Sequence, residues 1–109
     1  MKHSENLTNN NFKVLAYLYD KADRTNCVRI TQGEIAKDLD LTRSTIGLII
    51  KSLREFGYMK TDKEILTKHY LTETGIKVVE TYRSAEDWLL EQSIFNGKNK
   101  RLIAGTISL

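Results

Sequence analysis

Arg43, Ser44, Thr45, Gly47, Leu48 and Lys51 fall within one short stretch, and their side chains suit contact with a polyanion. An arginine such as Arg43 bridges phosphate or grips a guanine edge through two parallel hydrogen bonds. The hydroxyls of Ser44 and Thr45 donate to phosphate or to base edges, and Lys51 suits a phosphate. Gly47 costs a helix about 1 kcal/mol relative to alanine. That cost makes sense where bare backbone approaches a ligand, and equally where a neighbouring element packs closely. Leu48 is a large apolar side chain on a face that should be exposed, suited to a thymine methyl or to another protein.

These residues share a helix because of the apolar positions between them. On a helical wheel Ile49, Ile50 and Leu53 cluster within about 60° of Ile46. Ser44, Gly47, Leu48, Lys51 and Glu55 lie opposite, with Arg43, Thr45, Ser52 and Arg54 on the flanks. Thr42 is the expected cap of a helix over about 43–56, and Gly57 its left-handed stop. Upstream, Thr31-Gln32-Gly33-Glu34 has the capping-box pattern and opens a helix over about 32–39 that buries Ile35, Ala36 and Leu39. Gln32, at its front, is a further candidate for a phosphate. Asp40-Leu41 makes a tight connection, and Asp40 tolerates a left-handed backbone.

Around this pair, Thr8 caps a first helix over roughly 9–22, with apolar positions Phe12, Leu15, Ala16, Leu18 and Tyr19. The polar run Asp23-Arg24-Thr25-Asn26 is a loop, and Cys27 to Ile30 a short strand. Tyr58–Thr61 and Leu66–Leu71 read as strands joined by a turn at Asp62-Lys63-Glu64-Ile65. On that hairpin Lys60, Lys63 and Lys68 could track a backbone, though lysines there also discourage edge pairing. Tyr58 and Tyr70 are expected to support the hairpin rather than stack on bases. Thr72 caps a last helix of about 24 residues, ~36 Å long, stopping at Asn96-Gly97. The expected fold is mainly α with a small β-hairpin, an α+β class.

The whole chain has 109 residues, 40% hydrophobic and 28% charged, with one cysteine and no proline. That is the size of one globular domain with room for a small appendage, and no disulfide can form internally. No apolar run is long enough to cross a membrane, and the opening MKHSENLTNN lacks a signal-peptide core, so no membrane and a cytoplasmic location are expected. Net charge is only +3, but it is unevenly placed. Residues 1–71 are net +3, 72–92 net −3 and 93–109 net +3. A surface for a polyanion should exclude the acidic segment.

Little points to catalysis. Gly97-Lys98-Asn99-Lys100 lacks the first glycine and the hydroxyl residue of a phosphate-binding loop. His3, His69 and Cys27 make no metal site of recognisable spacing. His69 reads as a strand residue and Cys27 as a packed small one. No cofactor, no metal and no enzyme activity are expected.

The order helix, short strand, helix, tight turn, helix, hairpin, long helix is the winged helix-turn-helix arrangement. LTRSTIGLIIKSLREFGYM resembles the recognition helix and first wing strand of bacterial winged-helix regulators of MarR and PadR type. KHYLTETGIKVVE resembles their second wing strand and following helix. The resemblance spans about residues 12–92. It implies sequence-specific binding of double-stranded DNA by a homodimer, usually to repress transcription. The departures are a short leading segment, a short wing, and Asp40 where many such turns have glycine. A single long terminal helix is nearer the small PadR plan.

The implied organisation is a DNA-binding domain over 8–71, a dimerisation helix over 72–97 and a basic, then apolar, tail over 98–109. The DNA set is Gln32, Thr42, Arg43, Ser44, Thr45, Gly47, Leu48, Lys51, Lys60, Lys63 and Lys68. On the last helix Val79, Tyr82, Ala85, Trp88 and Leu89 form the expected dimer interface, because its apolar arc is wider than one small domain needs. A small-molecule effector could sit between that helix and the DNA-binding domain, although no residue set demands one. Two other readings compete: a winged helix used for protein–protein contact, and a plasmid replication or copy-control protein that binds DNA the same way.

Overall fold

A computed structural model of the chain describes residues 6–85. The expected stop at Asn96-Gly97, the tail over 98–109, Trp88 and Leu89 lie outside the described residues.

Each helix begins where a hydroxyl can satisfy an orphan backbone N–H. Thr8 caps α1 (Asn9–Lys21), accepting from the Asn11 N–H at 3.3 Å. Its inner side is Val14, Leu15, Ala16 and Leu18. Val14 had no place in the expected apolar stripe, whereas Phe12 and Tyr19, which did, are only half-buried. Asp23 then folds the loop by accepting from Thr25 and from the Cys27 N–H. These hydrogen bonds, the Thr25 side chain's first, hold its carboxyl below the usual range. They lead into β1 (Cys27–Arg29).

In α2 (Gln32–Leu39) both arms of the capping box are closed. The Glu34 N–H donates to Thr31 Oγ1 at 3.1 Å, and the Thr31 N–H donates to Glu34 Oε1 at 3.2 Å. Ile35 and Ala36 are buried, while Leu39, at the end of the helix, is half-buried rather than enclosed. A hydrogen bond from the Tyr17 hydroxyl to the Asp38 carboxylate ties α1 to α2. Desolvation, then that carboxylate, pushes the Tyr17 phenol up to about 12.

The turn after α2 needs a positive φ, and Asp40 supplies it at φ 55, ψ 48. The Leu41 N–H closes the turn on the Ala36 carbonyl at 2.9 Å. Thr42 then caps α3 (Arg43–Glu55), accepting from the Thr45 N–H at 3.1 Å. Ile46, Ile49, Ile50 and Leu53 are all buried, as their spacing requires. Past the end of α3, Gly57 adopts φ +81. The Tyr58 N–H reaches back to Leu53 and the Gly57 N–H to Arg54, both at 3.0 Å, which is a Schellman stop.

β2 (Met59–Thr61) and β3 (Lys68–Leu71) form the hairpin, and β1 adds to its other side in an antiparallel sheet of order β1-β3-β2. The hairpin differs from expectation at Leu66 and Thr67, which are not strand. Asp62 Oδ1 accepts from the Glu64 and Ile65 N–H groups at 2.8 Å each, and the Lys68 N–H donates to the Ile65 carbonyl at 2.9 Å. These local bonds compete successfully with ladder pairing. The loop therefore runs over 62–67, leaving Ile65 and Leu66 exposed.

Thr72 caps α4, helical over 73–85, accepting from the Gly75 N–H at 3.0 Å. A Cβ on Gly75 would lie 2.0 Å from the Tyr58 carbonyl oxygen, so that helix can start there only as glycine. Residues through Val79 make one compact unit, and those from Glu80 belong to a second.

Candidate nucleic-acid interface

The turn at Asp40 and the close crossing at Ala36 set α3 against α2 with its core side inward. Over the first three turns of α3 the outward residues are Arg43, Ser44, Leu48 and Lys51, all exposed, with Thr45 and Gly47 half-buried; Arg54 and Glu55 are exposed at its end. Among the described residues none of Arg43, Lys51, Lys60 and Lys63 has a carboxylate within ion-pair distance, whereas Lys77 on α4 is paired with Glu73 at 3.0 Å.

Two glycines shape the surface. Gly33 leaves room for the Arg43 side chain, whose Nε lies 3.6 Å from where a Cβ would be. Arg43 is thus laid across the front of α2. Gly47 takes the side-chain oxygen of Gln32 at 3.2 Å from its would-be Cβ. That atom is the far end of an exposed side chain, so a Cβ at 47 would displace Gln32 by a few tenths of an ångström. The contact brings Gln32 onto the same surface as the second turn of α3. Thr42 and Thr45 are hydrogen-bonded to one another through their hydroxyls at 2.8 Å. Thr42 therefore acts first as a cap.

On the hairpin, Lys60 and Lys63 are exposed. Lys68 is half-buried, its ammonium 5.3 Å from the centre of the Tyr70 ring. Its proton is held more firmly by the Tyr70 hydroxyl, which raises its pKa. The features that sequence reasoning missed are Gly33 under Arg43 and the apolar loop tip at Ile65 and Leu66. The first had a signal, a small residue facing the start of α3. The second did not, because a leucine beside a threonine reads as strand.

Val79 is fully buried within the chain, Tyr82 is half-buried and Ala85 exposed. A side chain already enclosed offers no area to a partner.

Cys27 is buried, as is His69 at 2% exposure. The His69 Nδ1 pairs with Thr61 Oγ1 at 2.9 Å, and its Nε2 has no hydrogen-bond partner among the described residues. Burial pushes this imidazole below its ordinary 6.5, the Ile30 carbonyl opposes that, and Arg54 adds to it. The unfolded chain therefore binds the proton more readily than the fold does. The stability of the neutral form is fully present above pH about 6.5 and is lost as pH falls below it toward the folded value. Urea denaturation at pH 8 and pH 5 should show a drop that His69→Gln reduces. An equal drop in both proteins would assign the pH sensitivity elsewhere.

A capped helix pair with a tight turn, followed by a hairpin that β1 completes into a three-stranded sheet and by a further helix, defines the winged helix-turn-helix class. A helix-turn-helix domain family matches residues 5–59, and the chain belongs to it. Solved structures similar to this chain include MepR of Staphylococcus aureus, a transcription regulator of the multidrug efflux pump MepA, at 25% identity and TM-score 0.67, covering 94% of this chain and 76% of that one. A MepR–DNA complex matches at 27% identity and TM-score 0.57, covering 97% and 68%. MepR bound to ethidium bromide matches at 26% identity and TM-score 0.62, covering 91% and 73%. No curated protein sequence matches the chain.

Proposed function

We propose that this chain is a transcription regulator that binds double-stranded DNA sequence-specifically as a homodimer and acts as a repressor. In this reading α3 enters the major groove and the hairpin lies along the neighbouring backbone or minor groove. Gln32, Thr42, Arg43, Ser44, Thr45, Gly47, Leu48 and Lys51 form the reading surface, with Lys60, Lys63 and Lys68 beside it. The segment over 72–97, of which α4 is the described part, joins the two copies through Tyr82 and the residues beyond it. The observation that carries the reading is the exposed face of α3, whose cations Arg43 and Lys51 lack acidic partners among the described residues. A similar fold has been solved with DNA bound.

The test is selection of bound duplexes from a random pool. The expected product is a palindrome whose half-sites lie about one turn, ~34 Å, apart. Affinity should fall steeply with salt, with a log–log slope of about −0.9 per phosphate contacted. No enriched duplex would overturn the proposal, and an enriched site without two-fold symmetry would overturn the dimer. The effector belongs to the same reading, and ethidium, bound by the neighbouring regulator, is the first compound to try for release of the selected duplex. The second reading, a protein-contact module, draws on exposed Leu48, Ile65 and Leu66.

A further inference from the structure

Leu48 is 68% exposed, although it stands in the middle of a helix whose core side is already complete with Ile46, Ile49, Ile50 and Leu53. It therefore adds nothing to the packing of the fold. Ser44, Leu48 and Lys51 follow one another at spacings of four and three, so they form one outward stripe of α3. Leu48 is the apolar centre of that stripe, between a hydroxyl and an ammonium. No acidic residue occurs between Arg43 and Arg54; the acidic Glu55 ends the helix. The surroundings of Leu48 thus complement a polyanion, and its partner should be an apolar group that a polyanion carries. In duplex DNA the major groove offers one such group, the 5-methyl of thymine.

We infer that Leu48 reads a thymine methyl in each half-site. The inference rests on the DNA-binding reading above and assigns part of its sequence preference. Gln32, held against Gly47 in the preceding position, sits beside the same base step. The polar residues around Leu48 supply affinity for the backbone, and Leu48 distinguishes thymine from bases that lack a methyl.

The experiment uses the full chain and the duplex that selection returns. Each thymine of a half-site is replaced in turn by deoxyuridine, which removes the methyl and leaves pairing intact. At one position per half-site, wild-type binding should weaken about four-fold, and about fifteen-fold when both half-sites are changed. Leu48→Ala should bind the unmodified duplex with a similar loss and be indifferent to deoxyuridine at that position. Its melting temperature should fall little, since most of Leu48 lies in solvent. If no thymine is sensitive, or if Leu48→Ala retains the full sensitivity, the inference is overturned while DNA binding stands, and Leu48 serves another contact such as a protein. If the wild type binds no duplex, DNA binding itself fails and takes the inference with it.

Discussion

Gly75→Ala is expected to destabilise the protein by about 3 kcal/mol, at the upper end of overpacking costs, and to lower its melting temperature by about 12 °C or more. The added Cβ would lie 2.0 Å from the Tyr58 carbonyl oxygen, 2.9 Å from its carbonyl carbon and 3.2 Å from its Cα. All three are backbone atoms with little freedom to retreat. The Tyr58 N–H is bonded to Leu53 at 3.0 Å, and its carbonyl accepts from the Thr72 N–H at 3.1 Å. Its ring is wholly buried. Two other glycines calibrate the result. Gly57→Ala meets open space but holds φ +81, so a loss of about 1 kcal/mol is expected. Gly33→Ala, inside a helix with its nearest neighbour a side-chain atom at 3.6 Å, should gain up to about 1 kcal/mol. Thermal melts of the three variants give the order directly. A Gly75→Ala protein as stable as the parent would mean that the start of α4 does not lie against Tyr58.

Joint replacement of Arg43 and Lys51 by alanine should weaken binding of the selected duplex about 100-fold with little change in stability. Both side chains are exposed, and neither is ion-paired among the described residues, so their removal leaves no stranded buried group. The two singles should differ in kind. Lys51→Ala should weaken binding of all duplexes alike and make the salt slope shallower by about 1. Arg43→Ala should cost about 1–3 kcal/mol and relax preference at one base pair if its guanidinium grips a guanine. A uniform loss in Arg43→Ala would instead make Arg43 a phosphate contact. Unchanged binding in the double variant would remove this face of α3 from the interaction.

The parts of the fold legible in advance were those governed by neighbours in the chain. The Thr31–Glu34 box, the Thr42 cap, the left-handed Asp40 and the Gly57 stop depend on bonds within a few residues, and so could be read from spacing alone. The four isoleucine and leucine positions of α3 repeat with the period of the helix, which fixes its inward side. Less legible were features that depend on distant parts of the chain. Nothing near Gly75 in sequence announces the Tyr58 carbonyl, which stands against it only after the hairpin closes. Gln32 beside Gly47 was likewise out of reach, since the two are fifteen residues apart in the chain. The hairpin loop was misjudged at Leu66 because strand propensity was weighed without the Asp62 side chain, whose two backbone bonds draw the following residues into a loop. Of the proposed interface, the outward set on α3 was readable from periodicity. The half-burial of Lys68 against Tyr70 was not, since cross-face contacts on a strand depend on twist.

The junction between α3 and α4 has a mechanical consequence. Thr72 donates its hydroxyl to the Gly57 carbonyl at 2.6 Å and its N–H to Tyr58, while Gly75 presses on that same peptide. Such a joint leaves almost no play. A tilt imposed on the opening turn of α4 is geared to the trailing end of α3 instead of being absorbed by a slack linker.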